Sequence, residues 1–149
     1  MRDKKKIIIG SDHAGFEMKH SIISNLSDLE FDDIGTDSDE SVDYPDYANK
    51  LVNRVQNNIY SFGILICGTG IGMSMSANRN KNIRAALCLN TKMAELARQH
   101  NDANILVLGS RLISHEEAIK CFIMFFKSEF EGGRHQARLE KFNHIESNK

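Results

Sequence analysis

A chain of 149 residues, 41% hydrophobic and 26% charged, is long enough to bury about 70% of the surface its unfolded form exposes, which removes any need for disulfides or a structural metal. The same proportions exclude disordered and fibrous classes. A formal net charge of −1 and the lack of any Lys or Arg between Lys19 and Lys50 give no general attraction to nucleic acid or an anionic membrane.

The chain opens on the basic run Met1-Arg2-Asp3-Lys4-Lys5-Lys6, but only Ile7-Ile8-Ile9 follow before Gly10, too short an apolar stretch for a signal peptide. No later stretch approaches the ~20 apolar residues needed to span a bilayer, so a cytoplasmic location is expected. Residues 6–10 read as a first buried strand. Met18, Ile22, Leu26 and Leu29 then fall three or four apart, predicting a helix that ends near residues 27–29. Residues 31–35 form a weaker second strand. Ala48, Leu51, Val52, Val55 and Ile59 mark the next helix, entered through Asp43-Tyr44-Pro45-Asp46, where the only proline suits a loop or a first helical position.

Gly63-Ile64-Leu65-Ile66-Cys67 is the clearest buried strand and runs directly into Gly68-Thr69-Gly70-Ile71-Gly72, where a helix should start. Residues 84–88 and 104–109 supply two more strands, separated by a helix carrying Met93, Leu96 and Ala97. Ala118, Phe122 and Phe125 or Phe126 cover a further face. After Gly132-Gly133 comes a terminal helix with Leu139, Phe142 and Ile145 on one stripe. Apolar strands alternating with helices, without a Pro-rich or Ser-rich linker, predict one domain over residues 1–149 with a five-stranded parallel sheet covered on both faces. The terminal helix has no strand left to serve, and its apolar stripe beyond a glycine pair suits a second subunit, which makes a homodimer the expectation.

In such a sheet ligands bind beyond the carboxyl ends of the strands. The residues there are Ser11-Asp12-His13-Ala14-Gly15, the glycine run after Cys67, and Gly109-Ser110-Arg111. The run is G-x-G-x-G on the third strand, not G-x-G-x-x-G on the first, and Gly10 to Gly15 has P-loop spacing with Phe16-Glu17 where Lys and Ser/Thr are required; nucleotide binding is disfavoured. The glycine loop instead sets a thiol beside backbone N–H groups that favour an anion. The three cysteines, Cys67, Cys88 and Cys121, lack C-x-x-C spacing, which argues against disulfides and zinc knuckles. A small buried residue is the commoner role for a cysteine; Cys67 stands apart by its place at a strand end before three glycines. His13 and His100 offer acid–base chemistry near neutral pH, although His100-Asn101 also suits a helix terminus. Arg134 and Arg138, one helical turn apart in the locally basic end with Lys141 and Lys149 against Glu140 and Glu146, can grip a phosphate, or can pair with Glu131 and Glu140 at the surface. No metal-ligand spacing and no G-x-S-x-G elbow occurs, so neither a metal nor another cofactor is expected.

Taken together, Gly-Ser-Asp-His-Ala-Gly-Phe (10–16), Asp-Tyr-Pro-Asp-Tyr-Ala (43–48), Ile-Cys-Gly-Thr-Gly-Ile-Gly (66–72), Arg-Gln-His-Asn-Asp-Ala-Asn (98–104) and Glu-Gly-Gly-Arg-His-Gln-Ala-Arg (131–138) resemble the ribose-5-phosphate isomerase B family over nearly the whole chain. The resemblance implies a Rossmann-like α/β/α sandwich, a homodimer or dimer of dimers with sites shared between subunits, and interconversion of ribose 5-phosphate and ribulose 5-phosphate in the pentose phosphate pathway. It implies Cys67 as the base that moves a proton between C1 and C2, Thr69 as its helper and His100 in ring opening. The amides of Gly68, Gly70 and Gly72, with Asn101, would hold the enediolate oxygen. Asp12 and Tyr44 would lie near sugar hydroxyls; His13, Arg134 and Arg138, with Arg111, would bind phosphate. A second branch of the family carries a glutamate base where this chain has Met73, so the role falls to Cys67. The rival expectations are a galactose-6-phosphate isomerase subunit of the same superfamily and a non-catalytic sugar-phosphate sensor, which would have no use for Cys67.

Overall fold

The structure, a computed structural model, describes residues 6–57 and 59–147, with side chains as far as Phe142 in the last helix. Of the terminal features named above, residues 1–5, the side chains of Ile145 and Glu146, and Lys149 lie outside what is described.

Five short strands, β1 (Ile7–Ser11), β2 (Phe31–Asp33), β3 (Phe62–Cys67), β4 (Ala85–Leu87) and β5 (Ile105–Gly109), alternate with helices α1 (Phe16–Asn25), α2 (Tyr44–Gln56), α3 (Ile71–Ala77), α4 (Thr91–Asn101), α5 (His115–Lys127) and α6 (Arg134–Ser147). All four strand pairings are parallel and the order is β2-β1-β3-β5-β4. The expected three-layer α/β arrangement is what forms. Alternation along the strands splits the core in two. Ile7, Ile9, Ile64, Ile66, Leu106 and Leu108 meet α1, α4 and α5, whereas Ile8, Leu65, Cys67, Ile105 and Val107 meet α2 and α3. Burial of both faces is why these strands read as unbroken apolar runs.

Several boundaries differ from the sequence reading, each for a local reason. Helix α1 stops at Asn25, short of Leu26 and Leu29, because Ser24 and Asn25 turn their side chains back to the carbonyls of His20 and Ser21, at 2.6 and 2.8 Å, and polar groups that bond locally compete with helix continuation. Strand β2 ends at Asp33, since Asp32 and Asp33 are engaged by Arg54 and Lys19 at 2.8 and 2.7 Å. Helix α2 begins four residues before Ala48, with Pro45 in its first turn where a missing N–H does no harm; Ile59 falls beyond its end and is 60% exposed. In α4 the inward face is Ala94, Ala97 and Arg98, not Met93, which is exposed. The small alanines let the helix lie close to the sheet, and the Arg98 guanidinium covers the Phe62 ring at 4.7 Å while donating to Ala103 O and Asp102 Oδ1 at 2.6 and 2.9 Å. On α6 Leu139 is buried and Phe142 exposed. No helix among the described residues is long and apolar enough to cross a membrane.

Lys19 is the largest polar intrusion into this core. It is fully buried, and its Nζ donates to Asp33 Oδ1 at 2.7 Å and Thr36 O at 2.5 Å, fastening the connection after β2 to α1. Lys19→Met keeps the length of the side chain but leaves a carbonyl and a carboxylate without their donor. A loss of about 3 kcal/mol in urea unfolding is expected, against less than about 0.5 kcal/mol for Lys92→Met at an exposed ion pair.

Candidate functional site

At the carboxyl edge of the sheet the loops after β3 and β5 are laced together. Cys67 O accepts from Ser110 N at 2.9 Å, and Gly68 O from Arg111 N at 2.8 Å. Between Gly68 and α3 the chain must reverse in little space. Gly70 does this with φ of +77°, and a Cβ there would stand 2.5 Å from Leu87 Cδ1 and 3.2 Å from Leu108 O; only glycine meets both demands. That turn aims the Gly70 N–H at Cys67 Sγ, 3.2 Å away. Cys67 itself is 4% exposed, and Thr69 Oγ1 accepts from Ile71 N at 3.2 Å. Arg111 and Tyr44 flank the loop: the Arg111 guanidinium and the Tyr44 hydroxyl each come within 2.8 Å of where a Cβ would project from Gly68 and Gly72 respectively. Met73 points into the core, fully buried.

The loop after β1 closes the other side. Asp12 N donates to Ile66 O at 3.2 Å, so this loop lies against the residue just before Cys67. The Asp12 carboxylate, 6% exposed, accepts from Gly15 N at 3.1 Å. His13 Nδ1 accepts from Val42 N at 3.1 Å, leaving Nε2 as the nitrogen that can donate to a ligand. One edge of one chain thus gathers Asp12, His13, Tyr44, Cys67, Gly68, Thr69, Gly70, Gly72 and Arg111.

His100, Asn101, Arg134 and Arg138 are elsewhere. Helix α4 ends beside the amino ends of the strands: Arg98 covers Phe62, the first residue of β3, and Asn104 N donates to Arg84 O just before β4. Cys67 is five strand steps away, roughly 17 Å at about 3.3 Å per residue. Here His100 stacks on His135 with ring centroids 4.2 Å apart and planes at 14°, and its Nε2 faces Glu131 Oε1 at 3.5 Å. Packing pushes His135 below the ordinary imidazole range, and nearby His100 and Arg134 add to this. Arg134 and Arg138 are exposed on α6, and Asn101 lines a groove of about 400 Å³ with Leu139 and Phe142. Sequence reasoning gave His135 no role and Glu131 only a surface ion pair. Their signal was the Gly132-Gly133 pair between them, both with positive φ, which folds the chain back so that the two side chains converge on His100.

The other two cysteines belong to the core. Burial pushes the thiol of Cys88 up to about 12 and that of Cys121 to about 11, so both stay protonated at neutral pH. Of the three cysteines, Cys67 alone ends a strand at the glycine loop, its Sγ accepting from Gly70 N.

A sequence profile described as Ribose/Galactose Isomerase matches residues 7–142. Ribose-5-phosphate isomerase B of Escherichia coli is 44% identical over 144 residues, covering 95% of this chain and 97% of that protein. A crystal structure of a ribose 5-phosphate isomerase from Thermotoga maritima superposes with a TM-score of 0.90 at 54% identity, covering 92% of this chain and 96% of that one. Ribose-5-phosphate isomerase B from Mycoplasma genitalium, solved with bound ribulose-5-phosphate, superposes with a TM-score of 0.91 at 42% identity and 97% coverage of both chains.

Proposed function

The chain belongs to the ribose/galactose isomerase family, and from that premise we propose that it interconverts ribose 5-phosphate and ribulose 5-phosphate, in the cytoplasm, as a step of the pentose phosphate pathway. The observation that carries this reading is the Cys67 sulfur held 3.2 Å from the Gly70 amide where the glycine loop leaves the sheet. As a thiolate, Cys67 removes the proton on C2 of the open aldose and returns it to C1. The electron pair moves onto the carbonyl oxygen, and the enediolate so formed is stabilised by backbone N–H donors of the loop from Gly68 to Gly72. Donors already aimed at a developing oxyanion are each worth about 10²–10³ in rate. Thr69 hands protons between the sugar oxygens beside Cys67, and Asp12 and Tyr44 hold the hydroxyls. No step calls for a metal.

The two groups of site residues become one site in a homodimer or a dimer of dimers, each subunit acting as one domain over residues 1–149. The carboxyl edge of one subunit supplies Cys67, and α4 and α6 of its partner supply His100 for ring opening, Asn101 for the enediolate, and Arg134 and Arg138 for phosphate beside His13 and Arg111. The exposed Phe142 and the groove beside it suit the contact between copies.

The test is a coupled isomerase assay in the presence of a chelator with ribose 5-phosphate and galactose 6-phosphate in parallel. Turnover of the five-carbon substrate is expected; its absence, or preference for the six-carbon one, overturns the reading. In the same assay Arg134→Ala should raise KM for ribose 5-phosphate by about 10–100-fold with a smaller change in kcat, since a charge-assisted contact to an unreacting phosphate contributes about 1.5–3 kcal/mol equally to ground and transition states.

A further inference from the structure

Among the described residues, one set of three metal-ligating side chains comes together: His100, Glu131 and His135, whose donor atoms all lie within 4.8 Å of one another. We propose that this trio binds a single divalent ion of the zinc class, and that its occupation inhibits the isomerase by engaging His100; the second clause rests on the role given to His100 above, the first does not.

Two imidazoles and one carboxylate are the donor set of an open zinc site, with a fourth position left to water. Ligand atoms at about 2.0–2.2 Å from a tetrahedral ion stand about 3.3–3.5 Å from each other, and His100 Nε2 and Glu131 Oε1 are already 3.5 Å apart. Bringing in the His135 nitrogen takes a shift of little more than an ångström, and the two imidazoles, stacked at 14°, must also turn out of their stack so that both in-plane lone pairs point at the ion. The scaffold is fixed. Glu131 N donates to Gln99 O at 3.0 Å, tying it to α4, and Gly132 and Gly133, at φ of +70° and +56°, return the chain so that His135 opens α6 with 8% exposure. The side chains of His100 and Glu131 are 36% and 50% exposed, which leaves a route for the ion. Hard cations such as Mg²⁺ and Ca²⁺ take oxygen ligands and are not suited to this set.

The experiment uses the full chain freed of metal with EDTA and titrated with Zn²⁺ against a chromophoric chelator, with circular dichroism to establish that each variant is folded. One equivalent per chain is expected for the wild type and for Cys67→Ala. His100→Gln, Glu131→Gln and His135→Gln should each weaken binding by more than about tenfold, the cost of losing even an outer partner of a metal site. Excess Mg²⁺ or Ca²⁺ should not compete. Zn²⁺ should also inhibit turnover of ribose 5-phosphate reversibly by EDTA, with the inhibiting concentration raised in Glu131→Gln and His135→Gln by the same factor as their affinity falls. Binding unaffected in all three ligand variants, loss of binding in Cys67→Ala, or competition by Ca²⁺ overturns the site; binding without inhibition overturns the second clause alone. Because affinity is read without substrate, failure of the site is distinct from failure of the isomerase assignment.

Discussion

Cys67→Ala should lower kcat for ribose 5-phosphate by about 10²–10⁴-fold while leaving KM within a few-fold of wild type, the range a positioned acid–base group contributes. The substitution is small, and the site loses little packing. Backbone contacts that fix the loop, Ser110 N to Cys67 O and Arg111 N to Gly68 O, do not involve the side chain, so the proposed oxyanion donors keep their places, and Gly70 N loses only its Sγ acceptor. The residual rate then reports what those donors and substrate positioning achieve without a base. Solvent exchange into C2 of ribose 5-phosphate, followed by nuclear magnetic resonance in deuterated water, should fall in parallel with turnover, because both need the same proton removed. Turnover within tenfold of wild type would reassign the base. A fall in KM-weighted rate due only to KM would instead make Cys67 a binding residue.

Mixing two inactive proteins should restore activity. Cys67→Ala disables the carboxyl edge of a subunit, and Arg134→Ala paired with Arg138→Ala disables the α6 edge; co-refolded at equal amounts, they should recover about a quarter of wild-type activity. In a two-fold symmetric dimer each site would draw one edge from each subunit, so a mixed dimer holds one site with both edges intact and one with neither, and about half of the dimers are mixed. The expectation follows from geometry within one chain, where five steps along β3 separate the Arg98–Phe62 contact from Cys67. Sites confined to single subunits would show no recovery. Size-exclusion chromatography with light scattering on the same mixture establishes that the dimers have formed.

The architecture was legible because each strand is buried on both faces and therefore carries an uninterrupted apolar run that short polar loops punctuate. The glycine loop after Cys67 was legible for a related reason: a strand end followed by three glycines in five residues marks backbone that must turn tightly. What could not be read were features decided by side-chain hydrogen bonds and packing rather than by hydrophobic spacing. The helix ending at Asn25 is settled by side chains folding back on their own carbonyls, where hydrophobic spacing alone extends the helix to Leu29. The inward face of α4 includes Arg98, a charged residue, because its guanidinium finds Phe62 and the carbonyl of Ala103. His13 and His100 carry similar signals in sequence, yet one lies at the carboxyl edge receiving the Val42 N–H and the other at the amino edge against His135. Only the direction of each neighbouring strand tells them apart. Glu131 and His135 were invisible as a pair since their proximity depends on two consecutive left-handed glycines.

The division of the sheet into two differently packed layers makes the orientation of Cys67 a matter of parity. Its sulfur faces the α2 and α3 side because Leu65 and Cys67 share that side while Ile64 and Ile66 share the other. Deleting or inserting a single residue ahead of Phe62 that slid β3 by one place would rotate the Cys67 sulfur into the phenylalanine-rich layer beneath α5. Shortening the preceding turn is thus a graver change for this enzyme than many substitutions around the glycine loop, although it touches none of the residues proposed to meet the sugar.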